Sequence, residues 1–169
     1  AIRARGLATV HNPRYDVTNM VASLMCAREL LDDGHTVLIC YGDLVYETRV
    51  VSELLATPEP FAITIDKAWQ RLWALRMEDP LADAESLRLD GMGRVLELGR
   101  PPGSVDEIEG QYMGLIKVDA EMASLMVRAF DDLDPEGPYE GRDRDNMFMT
   151  TFLQHLIDSG VPLAAVPVD

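Results

Sequence analysis

The sequence predicts an α/β domain with a mostly parallel sheet. Apolar residues recur at helical spacing over residues 20–31, and continuous apolar or β-branched runs follow at residues 36–41 and 61–66. Such alternation of helix and strand patterns is typical of parallel strands that are connected by helices. The chain has 169 residues, which is the usual length of a single domain with its own hydrophobic core.

A capped helix and a buried strand open the predicted order of elements. Thr18 or Asn19 can cap a helix over residues 20–31, and a turn at Gly34 ends that helix. The apolar run at residues 36–41 is continuous rather than alternating, which predicts a strand that is buried on both faces.

The remaining elements follow from apolar spacing and from turn residues. A helix that starts at residue 67 should stop before Pro80, and Gly160 should end the last helix. A polar loop over residues 134–146 carries Arg142 and Arg144, which can meet an anion, and loops of this length are functional or disordered. We predict helices over residues 47–56, 67–79 and 147–160, strands over 61–66, 109–118 and 161–168, and a β-hairpin of 86–90 with 94–99.

The composition excludes several kinds of partner. Apolar residues make up 47% and charged residues 26% of the chain, as in folded proteins. The 29 acidic residues outnumber the 15 basic ones, and a net charge of -14 argues against broad binding to nucleic acid or anionic membranes. The sequence shows no signal-peptide core and no run of about 20 apolar residues, so we expect a cytoplasmic location.

The cysteines and histidines do not form a recognisable metal or disulfide pattern. Cys26 and Cys40 lack CxxC spacing, and we expect both to be small buried side chains. The three histidines also lack mutual spacing suited to a metal. The sequence has no Ser nucleophile elbow and no Gly-rich phosphate loop, which disfavours acyl transfer and P-loop chemistry.

One carboxylate follows the first predicted strand directly. Gly42 breaks the apolar run and Asp43 comes next. Ligands bind beyond the carboxyl ends of the strands in open α/β sheets, and a carboxylate there can hold Mg²⁺. The ion would also bridge phosphate groups that an acidic protein otherwise repels. Capping of the next helix explains Asp43 equally well from the bare residues.

Several polar and aromatic residues are weaker candidates. The Thr18-Asn19 pair can face an anion or simply cap its helix, and Gly110 inside a strand can permit the close approach of a ligand. An aromatic cage for a quaternary ammonium group can be formed by Trp69, Trp73 and Tyr112. At their helical spacing, however, Trp69 and Trp73 are more often core residues. Basic residues that can clamp a phosphate, or remain solvated at the surface, are Arg14, Lys67, Arg71, Arg142 and Arg144.

Four stretches in order carry a family resemblance: NPRYDVTNMVASL, ICYGDLVYE, EGQYMGLIKV and MTTFLQHLIDSG. Together they resemble the cytidylyltransferase domains of phosphonate biosynthesis, which are related to phosphocholine cytidylyltransferases and sugar-phosphate nucleotidylyltransferases. The resemblance covers nearly the whole chain. The combination of TNM, YGD and EGQYMGL is the specific part of it, because YGD alone is common.

The resemblance implies a fold, a reaction and a set of site residues. The fold is a Rossmann-like mixed, mostly parallel sheet flanked by helices, of the nucleotide-diphospho-sugar transferase type. CTP is the implied donor and Mg²⁺ the implied cofactor, held in part by Asp43. A small phosphonate, 2-hydroxyethylphosphonate or 2-aminoethylphosphonate, attacks the α-phosphorus and pyrophosphate leaves. The residues expected near the nucleotide or the acceptor are Thr18, Asn19, Tyr41, Gly42, Lys67, Glu109, Gln111 and Tyr112.

The sequence also departs from the family pattern. The resemblance implies that residues 1–169 are one nucleotidyltransferase domain without its N-terminal triphosphate loop and its C-terminal metal ligand, so that the full-length protein is the enzyme. Thr151 stands where relatives often have Asp. A fused phosphoenolpyruvate mutase domain is expected from the same family. Phosphocholine or a sugar phosphate is an alternative acceptor, and a non-catalytic nucleotide-binding or regulatory module is the alternative of another class.

Overall fold

The computed structural model describes residues 6–169, which form one mixed sheet with helices and a separate hairpin. Short 3-10 turns at Pro80–Ala82, Val105–Glu107 and Arg144–Asn146 connect some of the elements. The helices are α1 (Met20–Met25), α2 (Arg28–Leu31), α3 (Thr48–Ala56), α4 (Trp69–Arg76), α5 (Ala120–Asp131) and α6 (Met149–Asp158). The strands are β1 (Val37–Cys40), β2 (Phe61–Asp66), β3 (Leu87–Leu89), β4 (Val95–Leu98), β5 (Gln111–Val118) and β6 (Ala164–Val168).

The main sheet has the strand order β1-β5-β2-β6. β5 pairs antiparallel with both β1 and β2, whereas β2 and β6 pair in parallel. Three of the four strands therefore point the same way, and β5 is the reversed one. This confirms the predicted mixed, mostly parallel α/β sheet. The β3–β4 hairpin is also confirmed, and its turn contains Gly93 at a φ of 80°.

The hydrophobic core lies on both faces of the main sheet. Alternation along β2 sends Phe61, Ile63 and Ile65 toward the larger core, which also contains residues of α1, α2, α5 and α6. The opposite face is smaller, and there Ala62 packs with Leu54 of α3. β2 is buried along nearly its whole length because both of its faces and both of its edges are covered.

The prediction that residues 36–41 form a fully buried strand is wrong. β1 lies at an edge of the described sheet, and in it Ile39 is the buried residue while Cys40 is exposed. Cys26 is exposed as well, because it caps the C-terminal end of α1 instead of continuing the helix. The predicted helix over residues 20–31 is thus two short helices with a break at Cys26 and Ala27, and neither cysteine is the buried side chain expected from the sequence.

Helix α5 was not predicted, although its sequence contains the usual signals. Asp119 caps it by accepting a hydrogen bond from the backbone N–H of Met122 at 2.9 Å. The buried residues Ala123, Val127 and Phe130 repeat at helical spacing and join the larger core. The polar loop 134–146 that follows is held by a β-bridge between Tyr139 and Arg142.

No helix in residues 6–169 is both long enough and apolar enough to cross a lipid bilayer.

Replacing Phe152 by Ala should destabilise the fold strongly. The side chain is fully buried in α6, and its ring meets that of Phe130 edge-on with 6.1 Å between centroids. We expect Phe152→Ala to lower the free energy of unfolding by about 3–5 kcal/mol, as measured by urea denaturation. Leu75→Ala is the control, because Leu75 is 80% exposed and its loss should change the free energy by about 0.5 kcal/mol at most. Equal effects of the two changes would contradict the described core.

Candidate active site

The strand directions bring the predicted site residues to one edge of the sheet. β1 and β2 point the same way, so their carboxyl ends, near Asp43 and at Asp66, lie at the same edge. β5 runs in the opposite direction and therefore begins at this edge. The register confirms this, since Gln111 at the start of β5 lies opposite Asp66 at the end of β2.

A cavity of about 300 Å³ opens at this edge, and we call it the Asp43 cavity. Two acidic residues, Asp43 and Asp66, and one basic residue, Arg76, are among its lining residues. Asp43 is exposed, and its carboxylate makes no hydrogen bond or ion pair to residues 6–169. The cavity is lined by Asp43, Leu44, Val45, Asp66, Leu72, Trp73, Arg76, Gln111, Tyr112 and Met113.

The capping alternative for Asp43 does not hold. Helix α3 begins at Thr48 and its cap position is Glu47, four residues after Asp43. Gly42 also has no structural reason to be glycine within the described residues, since its φ is not positive and an added Cβ would meet no atom within 4 Å. Neither Asp43 nor Gly42 therefore has a structural role of this kind in the described fold.

The Asp43 cavity fits the ligand needs of Mg²⁺. Residues 6–169 contain no group of three or more His, Cys, Asp or Glu side chains placed to hold a metal ion. Mg²⁺ needs only one or two protein carboxylates, because water and substrate phosphates complete its shell. Asp43 and Asp66 provide those two carboxylates in one cavity. Asp66 already accepts a hydrogen bond from the backbone N–H of Ala68 at 2.7 Å, which fixes one of its oxygens.

A second cavity of about 190 Å³ also has Tyr112 among its lining residues, and we call it the Glu85 cavity. Tyr112 lines both cavities, and its ring meets that of Tyr41 edge-on with 5.9 Å between centroids. Burial raises the pKa of Tyr41 to about 12 and that of Tyr112 well above its ordinary value, so both hydroxyl groups stay protonated at neutral pH. The cavity is lined by Met20, Tyr41, Glu85, Tyr112, Phe148, Met149 and Thr150.

Gln111 connects the two cavities through its side-chain amide. Its Nε2 donates to the carbonyl oxygen of Glu85 at 2.6 Å, and its Oε1 accepts from the N–H of Glu85 at 3.2 Å. The amide thus fixes the backbone of Glu85 from a strand 26 residues away in sequence. Burial raises the pKa of the Glu85 carboxyl, and the hydroxyl of Thr150 donates to that carboxyl at 3.4 Å.

A bulge at Gly114 sets the position of Tyr41. The register of β2 against β5 shifts between Ile63 and Ile65, and Gly114 lies in this part of β5 with a φ of 76°. Its carbonyl oxygen accepts the backbone N–H of Tyr41 at 3.0 Å. A Cβ at position 114 would lie 2.7 Å from the Tyr41 ring, so only glycine lets the ring pack there.

Gly110 serves packing of the sheet. A Cβ at this position would lie 3.1 Å from the side chain of Ile65 and 3.3 Å from the carbonyl oxygen of Asp66. The close approach that the sequence suggested for a ligand is therefore made by β2.

Lys67 and Glu109 contact each other away from both cavities. The ammonium group of Lys67 donates to the backbone carbonyl of Glu109. The carboxylate of Glu109 accepts the backbone N–H of Leu89 at 2.8 Å, which ties β5 to the hairpin. Neither side chain lines the Asp43 cavity or the Glu85 cavity.

Thr18 and Asn19 are occupied by structural hydrogen bonds. The Thr18 hydroxyl donates to the carbonyl of Arg14 at 2.8 Å. Asn19 caps α1, and its backbone N–H donates to the carbonyl of Asp145 at 2.9 Å. The structure thus favours plain capping over an anion site at this helix, which has only six residues.

The other candidates are distributed over the surface and the core. Arg14 pairs with Asp145 at 2.7 Å, Arg144 lies over Phe130, and Arg71 is exposed on α4. Arg14 and Arg144 also line a further cavity of about 260 Å³ together with Thr18. The guanidinium group of Arg142 lies 4.2 Å from the centre of the Phe148 ring.

The aromatic cage is not assembled as the sequence suggested. Trp69 is 2% exposed and packs with Ala84 and Ile108 as core. Trp73 and Tyr112 do line the Asp43 cavity together, and the indole N–H of Trp73 is buried without a hydrogen-bond partner among residues 6–169.

Comparison with solved structures shows the fold of the nucleotide-diphospho-sugar transferase type. A protein from Bacillus anthracis assigned as a glucose-1-phosphate thymidylyltransferase aligns with a TM-score of 0.58 at 13% identity, over 90% of this chain and 53% of its own. The inositol-1-phosphate CTP transferase from T. maritima aligns with a TM-score of 0.61 at 11% identity, over 92% of this chain and 54% of its own. Identities this low establish the architecture alone.

A curated relative is closer in sequence. The CTP:phosphoglutamine cytidylyltransferase of Campylobacter jejuni is 37% identical over 162 residues, which cover 94% of this chain and 64% of that protein. The chain thus spans somewhat less than two thirds of the length of that relative and about half the length of the two structures. No protein-family model matches the chain.

Gln111→Leu should destabilise the protein through the backbone of Glu85. The change removes both hydrogen bonds of the side-chain amide and leaves a part-buried backbone N–H and C=O of Glu85 without these partners. The free energy of unfolding should therefore fall by about 1–3 kcal/mol. Gln70→Leu is the matched control, because Gln70 is exposed on α4. Urea denaturation of both variants measures the difference. A Gln111→Leu protein as stable as the control would show that the amide does not hold Glu85 in place.

Proposed function

We propose that the protein is a CTP-dependent cytidylyltransferase, which joins a CMP group to a small phosphonate or phosphate acceptor and releases pyrophosphate. The observation that carries the proposal is the pair of carboxylates, Asp43 and Asp66, at the carboxyl edge of a sheet with the nucleotidyltransferase fold. The 37% identity to a CTP:phosphoglutamine cytidylyltransferase supports the choice of CTP as donor.

The proposed reaction is a single in-line displacement at the α-phosphorus of CTP. An oxygen of the acceptor forms the new P–O bond, and the bond to the pyrophosphate oxygen breaks. Asp43 and Asp66 would hold Mg²⁺, which when bound neutralises phosphate oxygens. Arg76 is an exposed residue that lines the same cavity, and its positive charge would favour a phosphate group there. This chemistry needs positioning and charge neutralisation, and it needs no covalent nucleophile.

The acceptor is a small molecule with a phosphonate or phosphate end. The resemblance of the sequence favours 2-hydroxyethylphosphonate or 2-aminoethylphosphonate, and the relative from Campylobacter jejuni adds phosphoglutamine to the candidates. Phosphocholine and sugar phosphates are the remaining alternatives. Fusion to a phosphoenolpyruvate mutase domain stays a prediction for the full-length protein.

Asp43→Asn in the full-length protein should lower the rate by about two orders of magnitude or more while the fold survives. The exposed carboxylate makes no structural contact with residues 6–169, and its loss removes charge that would hold the metal ion against the triphosphate. Pyrophosphate release with CTP, Mg²⁺ and the preferred acceptor measures the rate. Asp106→Asn, at an exposed carboxylate outside both cavities, is the control and should keep the parental rate.

The donor and the acceptor are tested with one panel of substrates. We expect the full-length protein to release pyrophosphate from CTP faster than from ATP, GTP or UTP, and only when an acceptor is present. Binding of CTP without release of pyrophosphate with any acceptor would support the non-catalytic module instead. Near-normal activity of Asp43→Asn would remove this residue from the site.

A further inference from the structure

The turn that carries Asp43 has no contact of its own that fixes the carboxylate. Asp43 is exposed and makes no hydrogen bond or ion pair to residues 6–169, and Gly42 before it has no side chain. A carboxylate binds a metal ion more tightly when its position is fixed beforehand, because less conformational entropy is lost on binding. Its neighbours Tyr41 and Leu44 do pack against the rest of the fold.

Tyr41 and Leu44 pack on opposite faces of the main sheet. Tyr41 is among the residues that pack against the larger core, and Leu44 is among those that pack against the smaller one. The chain between these two residues therefore crosses the edge of the sheet. Gly42 and Asp43 lie at this crossing, so the contacts on the two faces together hold the turn.

Gly114 of β5 contacts both sides of this turn. Its carbonyl oxygen accepts the backbone N–H of Tyr41 at 3.0 Å. A Cβ at position 114 would lie 2.7 Å from Cδ2 of the Tyr41 ring and 3.3 Å from Cδ1 of Leu44. The turn thus closes around a position that has no room for a side chain.

The bulge at Gly114 also lies between the two strands that carry Asp43 and Asp66. β5 pairs with β1 on one side and with β2 on the other. On the β2 side its residues 113–115 stand opposite the single residue Thr64, because the register shifts there. The Thr64 hydroxyl is buried without a hydrogen-bond partner among residues 6–169, which fits an interrupted ladder. A change in the bulge would therefore alter the spacing of the two carboxylates.

We propose that Gly114 is a positioning residue for the metal-binding carboxylate of Asp43. The inference rests on the proposed cytidylyltransferase function and explains how its site is held in place. Gly114 lines neither the Asp43 cavity nor the Glu85 cavity, so it acts through Tyr41 and Leu44. A side chain at position 114 would displace the Tyr41 ring and move the turn. A displacement of about 1 Å at a reacting centre can lower the rate by about 100-fold.

The test uses Gly114→Ala in the full-length protein, with Gly160→Ala as the matched control. Both glycines have a positive φ, 76° and 87°, so alanine strains the backbone to a similar degree at both. An added Cβ meets Tyr41 at position 114 but no atom within 4 Å at position 160. Gly160 also precedes β6, which begins at the opposite edge of the sheet. A difference between the two variants therefore reports the contact with the turn.

Metal binding is measured separately from turnover. Electron paramagnetic resonance of Mn²⁺ in the presence of CTP gives the affinity for the metal. We expect Gly114→Ala to weaken Mn²⁺ binding by about 10- to 100-fold, as for other residues that orient metal ligands, and Gly160→Ala to leave it within about two-fold. The rate of pyrophosphate release should fall by a similar factor in Gly114→Ala. Additional Mg²⁺ should restore part of that rate, because the lost affinity is for the metal.

Leu44→Ala provides a second test if Gly114→Ala does not fold. The change removes one of the two contacts of the turn and does not strain the backbone. Val51→Ala is its control, because Val51 packs against the same smaller core and lines neither cavity. We expect Mn²⁺ binding to weaken by about 10-fold in Leu44→Ala and to keep the parental affinity in Val51→Ala.

Failure of the inference and failure of the proposed function give different results. Equal Mn²⁺ binding by Gly114→Ala and Gly160→Ala would overturn the inference and keep the cytidylyltransferase. Where Gly114→Ala does not fold, equal binding by Leu44→Ala and Val51→Ala would do the same. If Mn²⁺ binding is lost selectively in Gly114→Ala but the parent releases no pyrophosphate with any acceptor, the proposed function fails and the inference stands. A parent protein that binds no Mn²⁺ with CTP would overturn both.

Discussion

The insertion of β5 between β1 and β2, antiparallel to both, is the constraint on which the site depends. Two strands that point the same way place Asp43 and Asp66 at one edge, and the reversed strand starts at that edge with Gln111 and Tyr112. A parallel strand in the middle would have placed its start at the opposite edge. The antiparallel pairing of β5 with β1 and β2 thus brings Gln111 and Tyr112 to the same edge as Asp43 and Asp66.

The charge of the two cavities differs. The net charge of -14 repels any phosphate, and Arg76 is the basic residue that lines the Asp43 cavity. The Glu85 cavity presents the opposite situation, with a half-buried carboxylate among aromatic rings and no basic side chain on its wall.

The sequence predicted the parts of the site that depend on local order. Asp43 follows from a general rule about the carboxyl ends of strands, and Asp66 obeys the same rule but was missed because it reads as the last residue of its strand. The Glu85 cavity could not be predicted, since it depends on an amide and a tyrosine from β5 and on aromatic residues from two other segments. The edge position of β1 also depends on pairing, which an apolar run does not reveal.

Two helical stretches also differ from the prediction. The break at Cys26 separates two helices that a single apolar pattern spans, and α5 lies in a stretch that was assigned no element. Packing against the larger core stabilises α5, and Phe130 of α5 belongs to that core. Tertiary contacts override or supplement local propensity in this way in many proteins.

The position of Tyr112 limits how the two cavities can change independently in evolution. Because Tyr112 lines both cavities, a substitution of this residue affects both of them. Divergence toward a new acceptor is therefore easier at residues that line a single cavity, such as Phe148 or Leu72, than at this shared ring. Relatives that use different acceptors should accordingly vary around Tyr112 while keeping an aromatic residue at its position.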